Sequence, residues 1–166
     1  RQGQPVRKAI IWCDARSVDE VEDIRRLLGN ERLGEITCNQ IAAGFQTASL
    51  LWMKKHEPAL YEKTETVLLP KDYLRYRLTG CLSTDVTDAA GTLALNVRQA
   101  AWSDELIRTL GLRRSLYPKI YLPQDFAGEV TAAASAETGL KAGTKVFHGG
   151  ADQVMQAIGN GIIAPG

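Results

Sequence analysis

Three observations predict an α/β fold. Short apolar runs rich in β-branched and aromatic residues, such as Ala9-Ile-Ile-Trp-Cys13, read as strands; longer stretches carry apolar residues at helical spacing; and the two kinds alternate along the chain. Such alternation favours helices flanking a mixed sheet, with the strand order left open. The chain has 166 residues, 45% of them hydrophobic, which is enough to build the core of one domain.

Taken in order, Ala9 to Cys13 is expected to be a buried strand that ends in a polar loop at Asp14 and Arg16. Ser17 with Glu20 makes a capping-box pattern, and Val18, Val21, Ile24, Leu27 and Leu28 recur at helical spacing up to Gly29, placed to stop the helix in the left-handed conformation. Asn30 to Gln40 reads as a polar connection. A second helix is predicted from about Phe45 to His56, with Ala48, Leu51 and Trp52 on one side, Lys54, Lys55 and His56 near the end that favours cations, and Pro58 marking its stop. Val67-Leu-Leu69 reads as a strand, followed by a helix that opens on Pro70 and terminates at Gly80. Ser103, Asp104 and Glu105 open a short helix running to Gly111, and Arg113 to Phe126, with two prolines, is expected to be irregular or extended. Glu129-Val-Thr131 reads as strand, Ala132 to Thr138 as helix, Lys145-Val-Phe147 as strand and Asp152 to Ile158 as helix.

Composition removes several function classes. Twenty Lys and Arg against 19 Asp and Glu give a net charge of +1, so no whole-chain positive field is available for nucleic acid or an anionic membrane. The apolar runs are too short to cross a bilayer, and the chain reads as soluble. Cys13, Cys38 and Cys81 are widely spaced, form no C-x-x-C, and read as buried reduced thiols of a cytoplasmic protein. The start at Arg1 and the turn-like Ala164-Pro165-Gly166 suggest a piece of a longer chain.

The most informative segment is His148-Gly-Gly-Ala-Asp-Gln153, because ligands in α/β sheets bind where a strand ends and a helix begins. Its glycines let backbone approach a ligand, and the helix start offers unpaired N–H groups. Asp152 there can accept a proton from a bound hydroxyl, or it can cap the helix; both readings stand at this point. Asp85 and Asp88 form either a working carboxylate pair or the turns and caps that Asp and Thr favour. Asp14 and Arg16 either line a cleft or pair with each other. Lys71, Arg75 and Arg77 read as a solvated helix face. Neither a phosphate-binding G-x-x-x-x-G-K-[ST] nor a full dinucleotide fingerprint is present.

Five segments in fixed order carry a resemblance: Trp12-Cys-Asp-Ala-Arg16, Leu68-Leu-Pro-Lys-Asp-Tyr-Leu-Arg-Tyr-Arg-Leu-Thr-Gly80, Thr84-Asp-Val-Thr-Asp-Ala-Ala-Gly-Thr92, Trp102-Ser-Asp-Glu-Leu106 and Gly149-Gly-Ala-Asp-Gln153. Together they resemble the FGGY carbohydrate kinases, most closely the xylulokinase branch, over nearly the whole chain. The resemblance implies an actin-like (ribonuclease H-like) domain, of which residues 1–166 form the latter part of the sugar-binding N-terminal domain. The amino-terminal phosphate loop and the nucleotide-binding second domain of such kinases would then lie outside this span. It also implies transfer of the γ-phosphoryl group of ATP, with Mg2+, to a sugar hydroxyl, D-xylulose above all. Asp152 matches the family's general base, Gln153 and Gly150 match substrate-binding positions beside it, and Gly44, Phe45 and Gln46 match a segment near the sugar pocket. The implied partners are the sugar and ATP, with a homodimer as a possible assembly.

Some positions depart from the pattern. Where Gly-Phe-Thr-Ala-Pro-Lys-Leu-Leu-Trp is expected, the chain has Gly44-Phe-Gln-Thr-Ala-Ser-Leu-Leu-Trp52, with Ser49 replacing a lysine. Ala151 stands where relatives commonly have a third glycine, and Ala15 where they have Gly or Arg. A kinase acting on ribulose, glycerol or gluconate is the neighbouring alternative, and a catalytically silent carbohydrate-binding module is the alternative of another class. This span alone is expected to be inactive, with apolar surface exposed where further strands would pair.

Overall fold

A computed structural model describes residues 3–164, so that Pro165 and Gly166 of the expected terminal turn lie outside the described residues. Among the described residues, nine α-helices are interspersed with six short strands and one 3₁₀ turn. The strands pair as three separate two-stranded ribbons rather than one continuous sheet. The chain divides into two compact units. One combines the chain up to Val67 with Ala89–Pro118, the other Leu68–Asp88 with the chain from Lys119 onward.

The first unit is a helical layer with an apolar interior. Helix α1 (Val18–Leu28) buries Val21 and Ile24, as their spacing requires. Ser17 is its N-cap residue, yet its hydroxyl makes no capping bond. The capping box does not form because Glu20 turns inward: it is fully buried and meets Lys55 Nζ and His56 Nε2, each at 3.3 Å. Gly29 ends α1 at φ +74°, ψ +148°, a positive-φ conformation with extended ψ rather than the expected left-handed one. That geometry, open to glycine alone, lets α2 (Asn30–Thr37) begin at the next residue. The stretch expected to be a polar connection is therefore largely helical, with Leu33, Ile36 and Thr37 buried on one face.

Helix α3 (Gln46–His56) follows, and Pro58 opens α4 (Pro58–Lys63) directly after its end. Residues 9–13 do not form a strand; Ile11 and Trp12 are exposed, and Asp14 N–H closes a turn onto Ile11 O at 3.0 Å. Apolar composition alone makes no strand without a ladder partner. Val67-Leu-Leu69 is likewise outside any ladder, although Val67 N–H donates to Leu116 O at 2.9 Å. Further apolar residues come from the ribbon of β2 (Leu95–Asn96) and β3 (Ala101–Trp102), from α7 (Asp104–Thr109), which Ser103 caps through Leu106 N–H, and from the chain after it, with Leu110, Leu112 and Leu116. Trp102 donates its indole N–H to Pro118 O at 2.7 Å and tilts against Tyr117. Burial pushes the Tyr117 phenol far up.

In the second unit, α5 (Pro70–Thr79) opens on its proline and closes on Gly80 in the left-handed conformation, as predicted. Strand β1 (Ser83–Asp85) leads at once into α6 (Val86–Gly91) and pairs in parallel with β4 (Lys119–Tyr121), Asp85 lying opposite Tyr121. β5 (Phe126–Glu129) and β6 (Lys145–Phe147) form an antiparallel ribbon. The expected strand at Glu129 to Thr131 thus starts earlier and ends sooner. Thr131 instead caps α8 (Ala132–Thr138), its hydroxyl accepting Ala134 N–H at 3.1 Å. Helix α9 (Asp152–Gly159) ends the described elements and leaves Val154, Met155 and Ile158 exposed.

The two units are stabilised differently. In the first the buried set is dominated by Ile, Leu, Met, Tyr and Trp, whereas in the second it is largely polar: Asp72, Arg75, Ser83, Thr84, Asp85 and His148. A buried polar set holds only when its members satisfy one another. The three cysteines are free, but Cys13 and Cys38 are exposed and Cys81 is half-buried, against the expectation of buried thiols. Among the described residues no helix is long and apolar enough to cross a membrane.

Candidate functional site

The tetrapeptide 148–151 joins β6 to α9 and is anchored at both ends. His148 is almost completely buried. Its main-chain N–H and its Nδ1 both reach Asp125 O, at 3.1 and 3.0 Å. A carbonyl only accepts, so Nδ1 carries the proton. Nε2 faces the Ser83 hydroxyl at 3.0 Å, and the ring stacks on Tyr121 at 4.3 Å. The His148 carbonyl in turn accepts from Arg75 at 3.0 Å and Lys71 Nζ at 3.2 Å.

At the other end, Ala151 N–H donates to Thr87 Oγ1 at 2.8 Å. Between the anchors, Gly149 adopts φ +69°, which glycine tolerates without cost. Gly150 is buried where a Cβ would lie 2.7 Å from Met155 Cε and 3.0 Å from Thr87 Oγ1. Ala151 sits at φ −56°, open to any residue, so nothing local requires the glycine that the pattern expects there.

Asp152 is the first residue of α9 and is exposed. It does not cap the helix: Ala151 holds that position, and no side-chain capping bond is made. Its carboxylate nevertheless lies in the first turn, where the helix dipole favours negative charge. Gln153 follows and is also exposed. Asp152, Gln153 and Gly150 thus share one loop and helix start. Gly44, Phe45 and Gln46 belong to the first unit, Phe45 being the N-cap residue of α3 and Gln46 its first residue.

Gly44 also has a structural reason to be glycine. Its φ is +87°, and a Cβ there would lie 1.9 Å from Trp12 O. Backbone cannot yield as a flexible side chain can. Gly44→Ala is expected to destabilise the fold by about 2 kcal/mol or more through strain and collision; a melting temperature unchanged from wild type would show that the 12–44 approach is not maintained.

Behind the loop lies a cluster of charges. Lys71 Nζ is 2.6 Å from Asp85 Oδ2, 3.0 Å from Asp72 Oδ1 and 3.1 Å from Asp88 Oδ2. Arg75, buried, bonds Asp72 Oδ1 at 3.0 Å and the carbonyl and hydroxyl of Ser83. The reading of Lys71, Arg75 and Arg77 as one solvated face is therefore corrected: only Arg77 is exposed, pairing with Glu137. The misreading arose because the partners come from β1 and the 148 loop, which helical periodicity cannot report. Asp85 resolves toward the structural role. Its Oδ1 accepts Thr87 N–H at 2.8 Å and the Thr87 hydroxyl at 2.5 Å, capping α6, while Oδ2 takes Lys71. Asp14 and Arg16 simply pair, bidentately, at the surface.

The electrostatics follow from these contacts. Burial pushes Lys71 down, but Asp85 and Asp72 outweigh it and hold the ammonium above the ordinary lysine range. Burial pushes Asp85 up, yet Lys71 and Thr87 more than offset that and keep it below the ordinary carboxylate range. Asp88 is raised, because burial is only partly offset by Lys71. Asp85 therefore stabilises the fold at all pH above the ordinary carboxylate range and loses that contribution as pH falls through its depressed pKa. The charge on Asp88 opposes folding at neutral pH, and the opposition is relieved as pH falls through its raised pKa. Titration of the two carboxyls by NMR is expected to show Asp88 protonating first; the reverse order would contradict this arrangement.

Comparison with known proteins then decides the family. A family model for the FGGY family of carbohydrate kinases, N-terminal domain, matches residues 1–159. The chain belongs to the FGGY family of carbohydrate kinases. Among curated FGGY relatives, the xylulose kinase of Bacillus subtilis (strain 168) is 39% identical over 163 residues, 98% of this chain and 32% of that protein. A crystal structure of xylulose kinase from Rhodospirillum rubrum superposes with a TM-score of 0.88 at 31% identity, over 93% of this chain and 32% of that one. Plasmodium falciparum glycerol kinase with ADP reaches a TM-score of 0.87 at 21% identity, covering 96% and 32%, and speaks for the fold alone. The FGGY chain thus spans about a third of the length of these relatives, and the actin-like α/β class expected of it stands.

Proposed function

We propose that the full-length protein containing this span transfers the γ-phosphoryl group of ATP to a hydroxyl of D-xylulose, with Asp152 as the proton acceptor. The observation that carries the reading is the exposed Asp152 carboxylate at the start of α9, free of capping duty and presented by a loop anchored at both ends. Its support outside the site is the identity to xylulose kinases across 98% of the chain.

In the proposed step the sugar hydroxyl oxygen forms a bond to the γ-phosphorus as the bond to the β–γ bridging oxygen breaks. ADP leaves with that oxygen, and the hydroxyl proton passes to Asp152. A loose phosphoryl-transfer transition state asks the protein chiefly for positioning, which the anchored loop supplies to Asp152. Gln153 and Gly150 flank the acceptor, and Gly44, Phe45 and Gln46 are proposed for the sugar. The Mg2+ that accompanies ATP in such chemistry is not assigned to these residues. Among the described residues, Asp72, Asp85 and Asp88 have ligand atoms within 4.8 Å of one another, but the Lys71 ammonium already occupies their midst.

ATP turnover by the full-length protein against D-xylulose, ribulose, glycerol and gluconate tests the reading. Selective turnover of D-xylulose supports it. Preference for another acceptor discards the substrate and keeps the phosphoryl transfer, and no turnover with any of them favours a silent carbohydrate-binding module.

A further inference from the structure

We infer that Thr87 is a positioning residue for Asp152, and that the Lys71–Asp85 pair acts on the proton acceptor through its hydroxyl. This rests on the proposed role of Asp152.

A threonine hydroxyl has one proton to give. Asp85 Oδ1, a carboxylate oxygen, can only accept, so at 2.5 Å it takes that proton. The hydroxyl oxygen is thereby left with its lone pairs turned outward, and one of them receives Ala151 N–H at 2.8 Å. Asp85 is itself immobilised by Lys71 at 2.6 Å and by Thr87 N–H at 2.8 Å. The chain of contacts Lys71, Asp85, Thr87, Ala151 therefore ends on the residue before Asp152.

Among the described residues, no other side chain is hydrogen-bonded to the backbone at that end of the loop. The anchors on His148, and on Gly149 whose N–H donates to Pro123 O at 2.9 Å, act three and two residues earlier, on the far side of Gly150. Helix α9 adds little restraint of its own, since none of its residues is buried. The orientation of its first turn is thus set where Thr87 Oγ1 meets Ala151 N–H. The contact is also close-packed: Gly150 leaves room for the hydroxyl that a larger residue would displace. Misplacement of a reacting group by about 1 Å costs roughly a hundredfold in rate.

The test uses the full-length protein with ATP and D-xylulose, comparing Thr87→Val, Thr87→Ser and Asp152→Asn. Thr87→Val keeps the side-chain volume and removes the hydroxyl. It is expected to lower kcat about a hundredfold while KM for both substrates stays within about twofold, and to speed amide exchange in the 148–153 segment. Thr87→Ser, which keeps the hydroxyl, is expected to retain kcat within about twofold of wild type. A Thr87→Val protein with wild-type kcat beside an inactive Asp152→Asn overturns the inference alone. So does a Thr87→Ser protein as impaired as Thr87→Val, or one that loses kcat where Thr87→Val cannot be folded, since packing of the methyl would then be what counts. Wild-type turnover by Asp152→Asn removes the reading on which the inference rests and the inference with it.

Discussion

Asp152→Ala in the full-length protein is expected to lower kcat about a thousandfold, within the span that a positioned general base contributes. Stability should change by less than about 1 kcal/mol, because the side chain is exposed and caps nothing, leaving only its interaction with the helix dipole to lose. These two halves belong together. A carboxylate retained for structure would show the opposite pattern, a lowered melting temperature with turnover intact in the folded fraction. Asp152→Asn keeps the shape and the helix start and should be nearly as inactive as Asp152→Ala. Turnover at the wild-type rate in either variant would take Asp152 out of the chemistry.

The largest effect on stability is expected at Lys71. Lys71→Met removes the ammonium shared by Asp72, Asp85 and Asp88 and leaves three carboxylates with oxygens within 4.8 Å of one another. Breaking a buried pair by deleting one partner costs about 3–5 kcal/mol, and since Lys71 is partly exposed the lower end applies, about 3 kcal/mol. The gain in stability on acidification, which Asp88 alone gives in wild type, should also become steeper. Arg75 still holds Asp72, but the crowded carboxylates of Asp85 and Asp88 lose their cation and bind protons more readily folded than unfolded, so the variant should become more stable as pH falls from 7 toward 5. Wild type, with Asp85 held below the ordinary range, keeps that aspartate's contribution across the same interval. Thermal melting at several pH values reads both effects, and a loss under 1 kcal/mol with no change of slope would mean that Lys71 is not the counter-charge of the cluster.

Much of the helical framework was legible because its signals are local. The spacing of Val21 and Ile24, Pro70 before α5 with Gly80 after it, Ser103 before α7 and the two glycines before α9 each act within a turn or two of the chain. What escaped depends on partners remote in sequence. Residues 9–13 have strand composition but meet no ladder; α2 was hidden by its charged residues although Leu33 and Ile36 share a face. Of the site, the 148–153 segment stood out through its glycines, and Asp152 through the family pattern. Lys71 and Arg75 did not, since their burial comes from contacts to Ser83, Asp85 and His148 that lie up to 77 positions away. Thr87 was visible only as one more turn-forming residue. Its two neighbours in space, Asp85 before it and Ala151 far beyond it, are what give its hydroxyl a direction.

Lys71 carries a wider consequence. Where a trio of carboxylates is held by a dissolved ion, its geometry follows the concentration and identity of whatever cation the surroundings supply. Here the positive charge is covalently attached to the chain, cannot diffuse away, and is made with every copy of the protein. The shape of the loop that presents Asp152 is thereby uncoupled from the composition of the surrounding electrolyte, and the segment is assembled once, at folding, rather than at each encounter with an ion.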